Sequence, residues 1–378
     1  MALTFDVAII GAGSMGSAAA YHFSRRGCKV IAFEQFGIVH ELGSHSGATR
    51  IIRHAYFESP DYVPLVVRSD ELWCELESLN GRQVLVRTGG IDAGPGDSIL
   101  VRGALHASRT YHLPHEVLSS AEIMKRWPQF HFPQDWEACF DPKMGFLLVD
   151  ACIKGHVDAA RRHGAVIREY EPVLSFEPSA KKIRIKTNQD TYEAGKLVVC
   201  AGAWASKILA DLSLPLTVKR KTLSWFRTSN PKHYGPDTFP IFLAQTGPGV
   251  FYGFPLYGHP GLKIANHHSG GPPENPDHVD RIFHEEDASD LRLFVREHLP
   301  GVTPELLDGK VCLYTLTPDE DFIIDFHPDQ NNIVMAAGFS GHGFKFAPVV
   351  GEILADLCLE GSTAHPIQRF RIARFSAR

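Results

Sequence analysis

The segment Asp6-Val7-Ala8-Ile9-Ile10-Gly11-Ala12-Gly13-Ser14-Met15-Gly16 decides the fold. Asp6 to Ile10 reads as a short apolar strand and Gly11 to Gly16 as a tight turn. Ser17 to Arg26 then reads as a helix of small residues, and Lys29 to Phe33 as a second strand that ends at Glu34. Together they make a βαβ unit. In such a unit Gly11 permits the sharp turn, Gly13 lets backbone approach a pyrophosphate, and Gly16 lets the helix lie against the strand. The helix N-terminus, with Ser14 and Met15, offers unpaired N–H groups to phosphate. Glu34 stands where a carboxylate takes ribose hydroxyls. The motif predicts a dinucleotide site and does not separate FAD from NAD.

Working outward, 378 residues with 44% hydrophobic and 21% charged residues describe a globular chain with material for two or three domains. Disordered, collagen-like and disulfide-stapled classes are excluded. Lys plus Arg number 38 against 43 Asp plus Glu, a net charge of -5, which leaves no electrostatic footprint for nucleic acid. Seven scattered cysteines without a C-x-x-C pair indicate neither a zinc ribbon nor a disulfide framework, so no metal is expected. There is no basic leader, no apolar run of about 18 to 20 residues, and no Ser-Lys-Leu ending. A cytoplasmic protein without a membrane partner is the expectation.

Past Glu34, the polar loop from Gly43 to His54 carries Arg50 and Arg53 around two isoleucines. On a helix these would share a face; a bound anion and a surface ion pair are both open on this segment alone. Helices are expected at 61–79, 120–127, 149–163 and 348–359. Strands are expected within 83–94, at 182–186, 196–200, 311–315, 322–325 and 333–337. The stretch 216–310 reads as aromatic, proline-rich strands. The expected organisation is α/β with two domains: 1–86, 148–215 and 311–378 binding the dinucleotide, and 87–147 with 216–310 forming a β-rich substrate domain.

Two further clusters invite chemistry. Gly338-Phe339-Ser340-Gly341-His342-Gly343-Phe344-Lys345 joins a buried strand to a helix, so a cation stands where the helix dipole favours an anion. In Leu262-Lys263-Ile264-Ala265-Asn266-His267, alternation puts Lys263, Ala265 and His267 on one face, either a pocket wall or a solvent edge. Cys312, in an apolar strand, reads on its own as a small buried hydrophobe.

These segments together resemble the monomeric sarcosine oxidase and N-methyltryptophan oxidase family of covalent-flavin amine oxidases. The likeness runs from Gly11–Gly16 through Gly43–Tyr56, Tyr252–Pro255 and Lys263–His267. It continues through Cys312-Leu-Tyr-Thr-Leu-Thr-Pro-Asp-Glu-Asp-Phe-Ile-Ile-Asp325 to Gly338–Lys345. The resemblance implies a Rossmann-type FAD domain and a D-amino-acid-oxidase-like architecture. It also implies a monomer that oxidises an N-alkyl amino acid with molecular oxygen and releases hydrogen peroxide. By the same resemblance Cys312 would hold the flavin 8α carbon, Arg53 and Lys345 would clamp the substrate carboxylate, and Lys263 would lie where oxygen is reduced. Arg50 would assist attachment and polarise the site, while Tyr252 and His267 would line the substrate cavity. Ser44, Thr49, Val173, Ala201, Trp204, Gly341, Gly343 and Phe344 match FAD contacts. The family loop Gly-Ser-His-His-Gly-Asp-Thr-Arg differs here at Ser46 and Ala48. A dehydrogenase that passes electrons elsewhere, and oxidases of glycated, pipecolate or proline-type amines, are the alternatives among relatives.

Overall fold

The computed structural model describes residues 3–179, 181–247 and 249–375. The βαβ unit comprises β1 (Leu3–Ile10), α1 (Ser14–Ser24) and β2 (Val30–Phe33). There follow β3 (Thr49–Ile52), α2 (Val63–Asn80), β4 (Leu85–Arg87), β5 (Gly90–Pro95), α3 (Ile99–Thr110), β6 (Glu116–Ser119) and α4 (Ser120–Arg126). The middle of the chain forms β7 (Trp136–Asp141), β8 (Gly145–Leu148), α5 (Val149–Arg162), β9 (Val166–Arg168), β10 (Val173–Pro178), β11 (Ile183–Thr187), β12 (Thr191–Val199) and α6 (Ala205–Ile208). The last third holds β13 (Thr217–Thr228), β14 (Ile241–Thr246), β15 (Gly249–Gly253), β16 (Leu262–Asn266), α7 (Ser289–His298), β17 (Val302–Leu316), β18 (Ile323–His327), β19 (Gln330–Ala337) and α8 (Ala347–Glu360).

The first sheet centres on parallel β1, flanked by β12 and β2, with β9 beyond β2 and β19 beside the upper half of β12. Such strands must be covered on both faces. Helices α1, α2, α5 and α8 bury one face through Ile9, Phe23, Val66, Trp73, Ile353 and their neighbours. Phe5, Ile10, Ile31, Phe33, Tyr192 and Met335 form the core on the other. Helices α1 and α8 pack closely because Gly351 carries no side chain: a Cβ there would lie 2.6 Å from the Ala18 carbonyl carbon.

A second sheet runs β17-β13-β16-β15-β14-β5-β7-β6, and β3, β8 and β4 form a small third one between the two. One face of the second sheet meets α4 and α7 over an aromatic core that includes Phe130, Phe132, Trp136, Phe242, Phe251 and Phe294. Helix α3 covers part of the other face with Val101 and Ala104 against Cys139. Helix α3 starts on Ser98, whose hydroxyl accepts from Val101 N–H, and α4 on a capping box of Ser119 with Glu122. The mixed α/β architecture is as expected. Helix α7 lies in a stretch read as strands, and helix α3 in one for which no element was expected. Strand β17 also runs unbroken across residues 310 and 311, where a domain boundary was expected.

Candidate active site

The glycine turn opens onto the larger of two adjoining cavities, about 350 Å³, which runs along the C-terminal ends of β1 and β2. Gly11 has φ +89°, and a Cβ there would sit 2.4 Å from the Cys200 carbonyl oxygen; one on Gly16 would sit 1.8 Å from the Gly11 carbonyl oxygen. Only hydrogen fits at either position. Helix α1 begins at Gly13 with no side chain capping it, so its first N–H groups face the cavity, as a pyrophosphate requires. Glu34 is buried; its carboxylate accepts from Ala12 N–H at 3.0 Å and Phe36 N–H at 3.1 Å. Burial pushes its pKa up and the backbone donors pull it back. This cradle of backbone donors beside a carboxylate fits a dinucleotide such as FAD.

Gly11, Gly13, Ser14, Met15, Glu34, Ser44, Arg50, Val173, Ala201, Trp204, Gly341, Gly343 and Phe344 all line this cavity. Gly16 lies beneath it. Thr49 and Lys345 line instead the smaller cavity, about 70 Å³, which shares Arg50, Tyr314, Gly341 and Phe344 with the larger. The smaller cavity also collects Arg53, Glu58, Tyr252, Lys263 and His267. Segments far apart in sequence thus meet beside the end of the dinucleotide groove.

Its floor is one face of the second sheet. In register across the strands, Cys139, Asp92, Leu243, Tyr252 and Ala265 point the same way, and Lys263 follows two residues along β16. The roof comes from the loop before β3 and the residues after it. The segment carrying Arg50 is strand β3, not a helix, because it pairs with β8, so the two arginines reach the cavity by different routes. Arg50 lies in the strand and donates to the carbonyls of Thr49, Ser44 and Ser46. Arg53 lies beyond the strand end, buried, with its guanidinium 4.3 Å from the Tyr56 ring centroid and 4.5 Å from that of Phe57.

The cations are held differently. Lys263 donates to the carbonyls of Gly47 at 2.6 Å and Thr49 at 2.9 Å and to the Thr49 hydroxyl; burial lowers its pKa. Lys345, in a short turn at Phe344–Phe346, donates to the His342 carbonyl at 2.7 Å. Burial, with Arg53 nearby, brings its pKa down to about 7. Arg53 donates from Nη2 to both oxygens of Glu58, at 2.7 and 2.6 Å, and from Nη1 to the Ala55 carbonyl. That pairing outweighs burial and holds Glu58 down at about 2. His267, 3.3 Å from the Tyr314 hydroxyl, is kept neutral by burial, its pKa lowered to about 3.

Cys312 lines neither cavity. It is buried among Leu223, Trp225, Ala265 and Tyr314, where burial raises its pKa against the pull of Arg50, Lys263, Lys221 and Arg281. The cysteines are unpaired, and the described residues hold no metal-binding cluster. No helix among them is long and apolar enough to cross a membrane. Sequence reasoning missed Glu58, Tyr314 and Asp92. Tyr314 stood inside a quoted segment, two residues after Cys312, whereas Glu58 and Asp92 lay outside the quoted segments and carried no local signal.

Comparison with known proteins agrees with this geometry. Over 379 residues the chain is 42% identical to monomeric sarcosine oxidase of Bacillus sp. (strain NS-129), covering 99% of this chain and 98% of that protein. It is 36% identical to N-methyl-L-tryptophan oxidase of Yersinia pestis (strain Pestoides F), covering 99% and 100%. A solved structure of the Tyr258Phe mutant of NikD, an unusual amino acid oxidase essential for nikkomycin biosynthesis, superposes with a TM-score of 0.87. That match has 27% identity and covers 98% of this chain and 97% of that one. A family model for FAD dependent oxidoreductases matches residues 6–357, and with the glycine turn, Glu34 and the cation-lined cavity at the groove's end, the chain belongs to the FAD dependent oxidoreductase (DAO) family.

Proposed function

We propose that the protein is an FAD-dependent oxidase of small secondary amino acids, N-methylglycine (sarcosine) foremost, giving an imine that water hydrolyses and hydrogen peroxide. The observation that carries this reading is the smaller cavity. It joins the dinucleotide groove and gathers Arg50, Arg53, Lys263 and Lys345 around about 70 Å³, a volume suited to a small amino acid. Bound FAD supplies the two-electron acceptor. Arg53 and Lys345 hold the substrate carboxylate, a planar fork and a point charge suited to one anion. Phe57, Leu243, Val250 and Phe254 exclude water from the reacting carbon, and Tyr252 and His267, both neutral, orient the amine. The clustered cations lower the pKa of the substrate amine towards the neutral form that can give up hydride. Lys263, donating to three acceptors, stands where oxygen takes up electrons, and its protonated form stabilises the anion that forms there.

The same proposal includes covalent attachment of the flavin 8α carbon to Cys312, molecular oxygen as acceptor, and a monomer in the cytoplasm. It also assigns 1–86, 148–215 and 311–378 to the cofactor and 87–147 with 216–310 to the substrate. Two measurements test it. Peroxide release across N-methylglycine, N-methylalanine, N-methyltryptophan, pipecolate and proline should be greatest for N-methylglycine; no peroxide from any of them, with dye reduction intact, would identify a dehydrogenase. Yellow colour should stay with acid-precipitated protein and pass to the supernatant in Cys312→Ala. Colour that leaves the unmutated protein would rule out attachment.

A further inference from the structure

Asp92 is the most anomalous side chain among the described residues that surround the site. It sits in β5 in parallel register with Leu243, a residue of the substrate-cavity wall, one strand spacing of about 4.8 Å further along the same sheet face. Its residue exposure is 0%, and neither carboxylate oxygen has a hydrogen-bond partner. A buried acid without partners costs several kcal/mol if charged and is kept neutral instead. The other acid of this face, Asp141 on β7, is satisfied by the backbone N–H groups of His54 and Lys143.

The groups that face Asp92 explain why such an acid is tolerated there. From the segment after β3 come Arg53 and Glu58, from β7 Asp141 and the Cys139 thiol, and from the Phe344–Phe346 turn Lys345. Burial outweighs the two cations and pushes the Asp92 carboxyl up to about 8. Glu58 occupies the Nη2 edge of Arg53, so Asp92 is a second carboxyl in the field of a guanidinium already paired. A third carboxylate, that of the substrate, must enter this neighbourhood.

We propose that Asp92 is a positioning residue for Arg53: it must be protonated while a substrate carboxylate occupies Arg53 and Lys345, and once ionised it competes with that carboxylate for the two cations. This rests on the carboxylate-clamp reading above. The sign follows from linkage. An acid whose folded-state pKa is raised is protonated below that value; an anionic ligand raises it further, so binding is unaffected below pH ~7 and weakens above pH ~8, by up to about thirtyfold at pH 9.5. Loss of charge on Lys345 weakens binding in the same range; Asp92 supports that charge, so removing Asp92 does not relieve this loss, and a wild-type to variant ratio that rises with pH reports competition by Asp92 itself.

The test is a comparison of holoenzymes. Acetate carries a carboxylate and no amine, so its titration followed by the flavin absorbance gives a dissociation constant free of substrate ionisation. The ratio of wild-type to Asp92→Asn dissociation constants should be about one at pH 6 and should rise to tenfold or more at pH 9.5, with Asp92→Val behaving like the amide. Asparagine conserves volume and is uncharged like the protonated acid it replaces, so folding is not at risk. A ratio that stays constant across the range, while the wild type binds acetate and Arg53→Met does not, would overturn the role of Asp92 and leave the clamp standing. Acetate binding that is unchanged in Arg53→Met would instead remove the clamp, and the inference with it.

Discussion

Glu58 to Gln is the substitution with the clearest consequence. Arg53 spends its Nη2 edge on both Glu58 oxygens, at 2.7 and 2.6 Å, and the Glu58 side chain lines the very cavity in which the substrate carboxylate must meet Arg53. Two carboxylates therefore compete for one donor edge. Coupling energies of close buried ion pairs run from about 1.5 kcal/mol upward; Glu58, 22% exposed at its side chain, belongs at the low end, about 2 kcal/mol. Glutamine keeps one neutral acceptor bond to Arg53, worth about 0.5–1 kcal/mol. The difference, about 1–1.5 kcal/mol, is released to an incoming carboxylate, so Glu58→Gln should bind acetate and N-methylglycine about five- to tenfold more tightly. The assay is a spectral titration of anaerobic enzyme at pH 7, far above the Glu58 pKa of about 2, so the competitor is fully ionised. Steady-state kinetics should show KM lowered with kcat little changed. Binding that weakens, or does not move, would mean that Glu58 positions Arg53 for the substrate instead of competing with it, and the argument would fail.

Other outcomes follow from the same structure. Lys345→Met should lower kcat/KM for N-methylglycine by at least about thirtyfold, the loss expected when one partner of a desolvated charged contact is removed, and should hardly affect dimethylamine, which lacks the carboxylate. Lys263→Met should slow reoxidation of the reduced flavin by about a hundredfold while reduction changes far less, as resolved by stopped-flow absorbance. Gly16→Ala should destabilise the protein by about 1–3 kcal/mol or more and shed flavin on gel filtration, since its methyl meets backbone and not a movable side chain. Glu352, bonded to Arg68 and His365, has its pKa depressed by those partners, so its stabilisation is present above pH ~4.5 and fades as pH falls below that. The melting-temperature deficit of Glu352→Gln should accordingly be largest near pH 7 and shrink in acid.

What the chain disclosed before its fold was known depended on how local the physics is. A glycine turn between an apolar strand and a small-residue helix is a short-range demand, and Gly11, Gly16 and Glu34 could be read directly. Helix α7 was not read, although its apolar residues recur with helical spacing on one face, because the surrounding prolines and aromatics made strand signals on both sides. Whether Arg50 and Arg53 share a face depended on whether their segment is helical; pairing of Thr49–Ile52 with β8, a partner nearly a hundred residues away, makes it a strand, with Arg53 just past its end.

Asp92 marks the deeper limit. Gly90-Ile91-Asp92-Ala93-Gly94 alternates, and alternation says which residues share a face of a strand. It does not say whether that face is wet. Here Ile91 and Ala93 face the aromatic core, and the opposite face, which carries Asp92, is covered as well, by α3 and by the segment that bears Arg53 and Phe57. A polar residue that would be solvated on an open sheet is thereby sealed beside the substrate cavity. Glu58 is the same case in a loop: five residues after Arg53 it could point anywhere, and only folding turns it back on the guanidinium. The cations of the site are recognisable in sequence because the motifs carry them. The carboxyls that set how strongly those cations grip a substrate are recognisable only in space, since a buried charge takes its meaning from the charges around it.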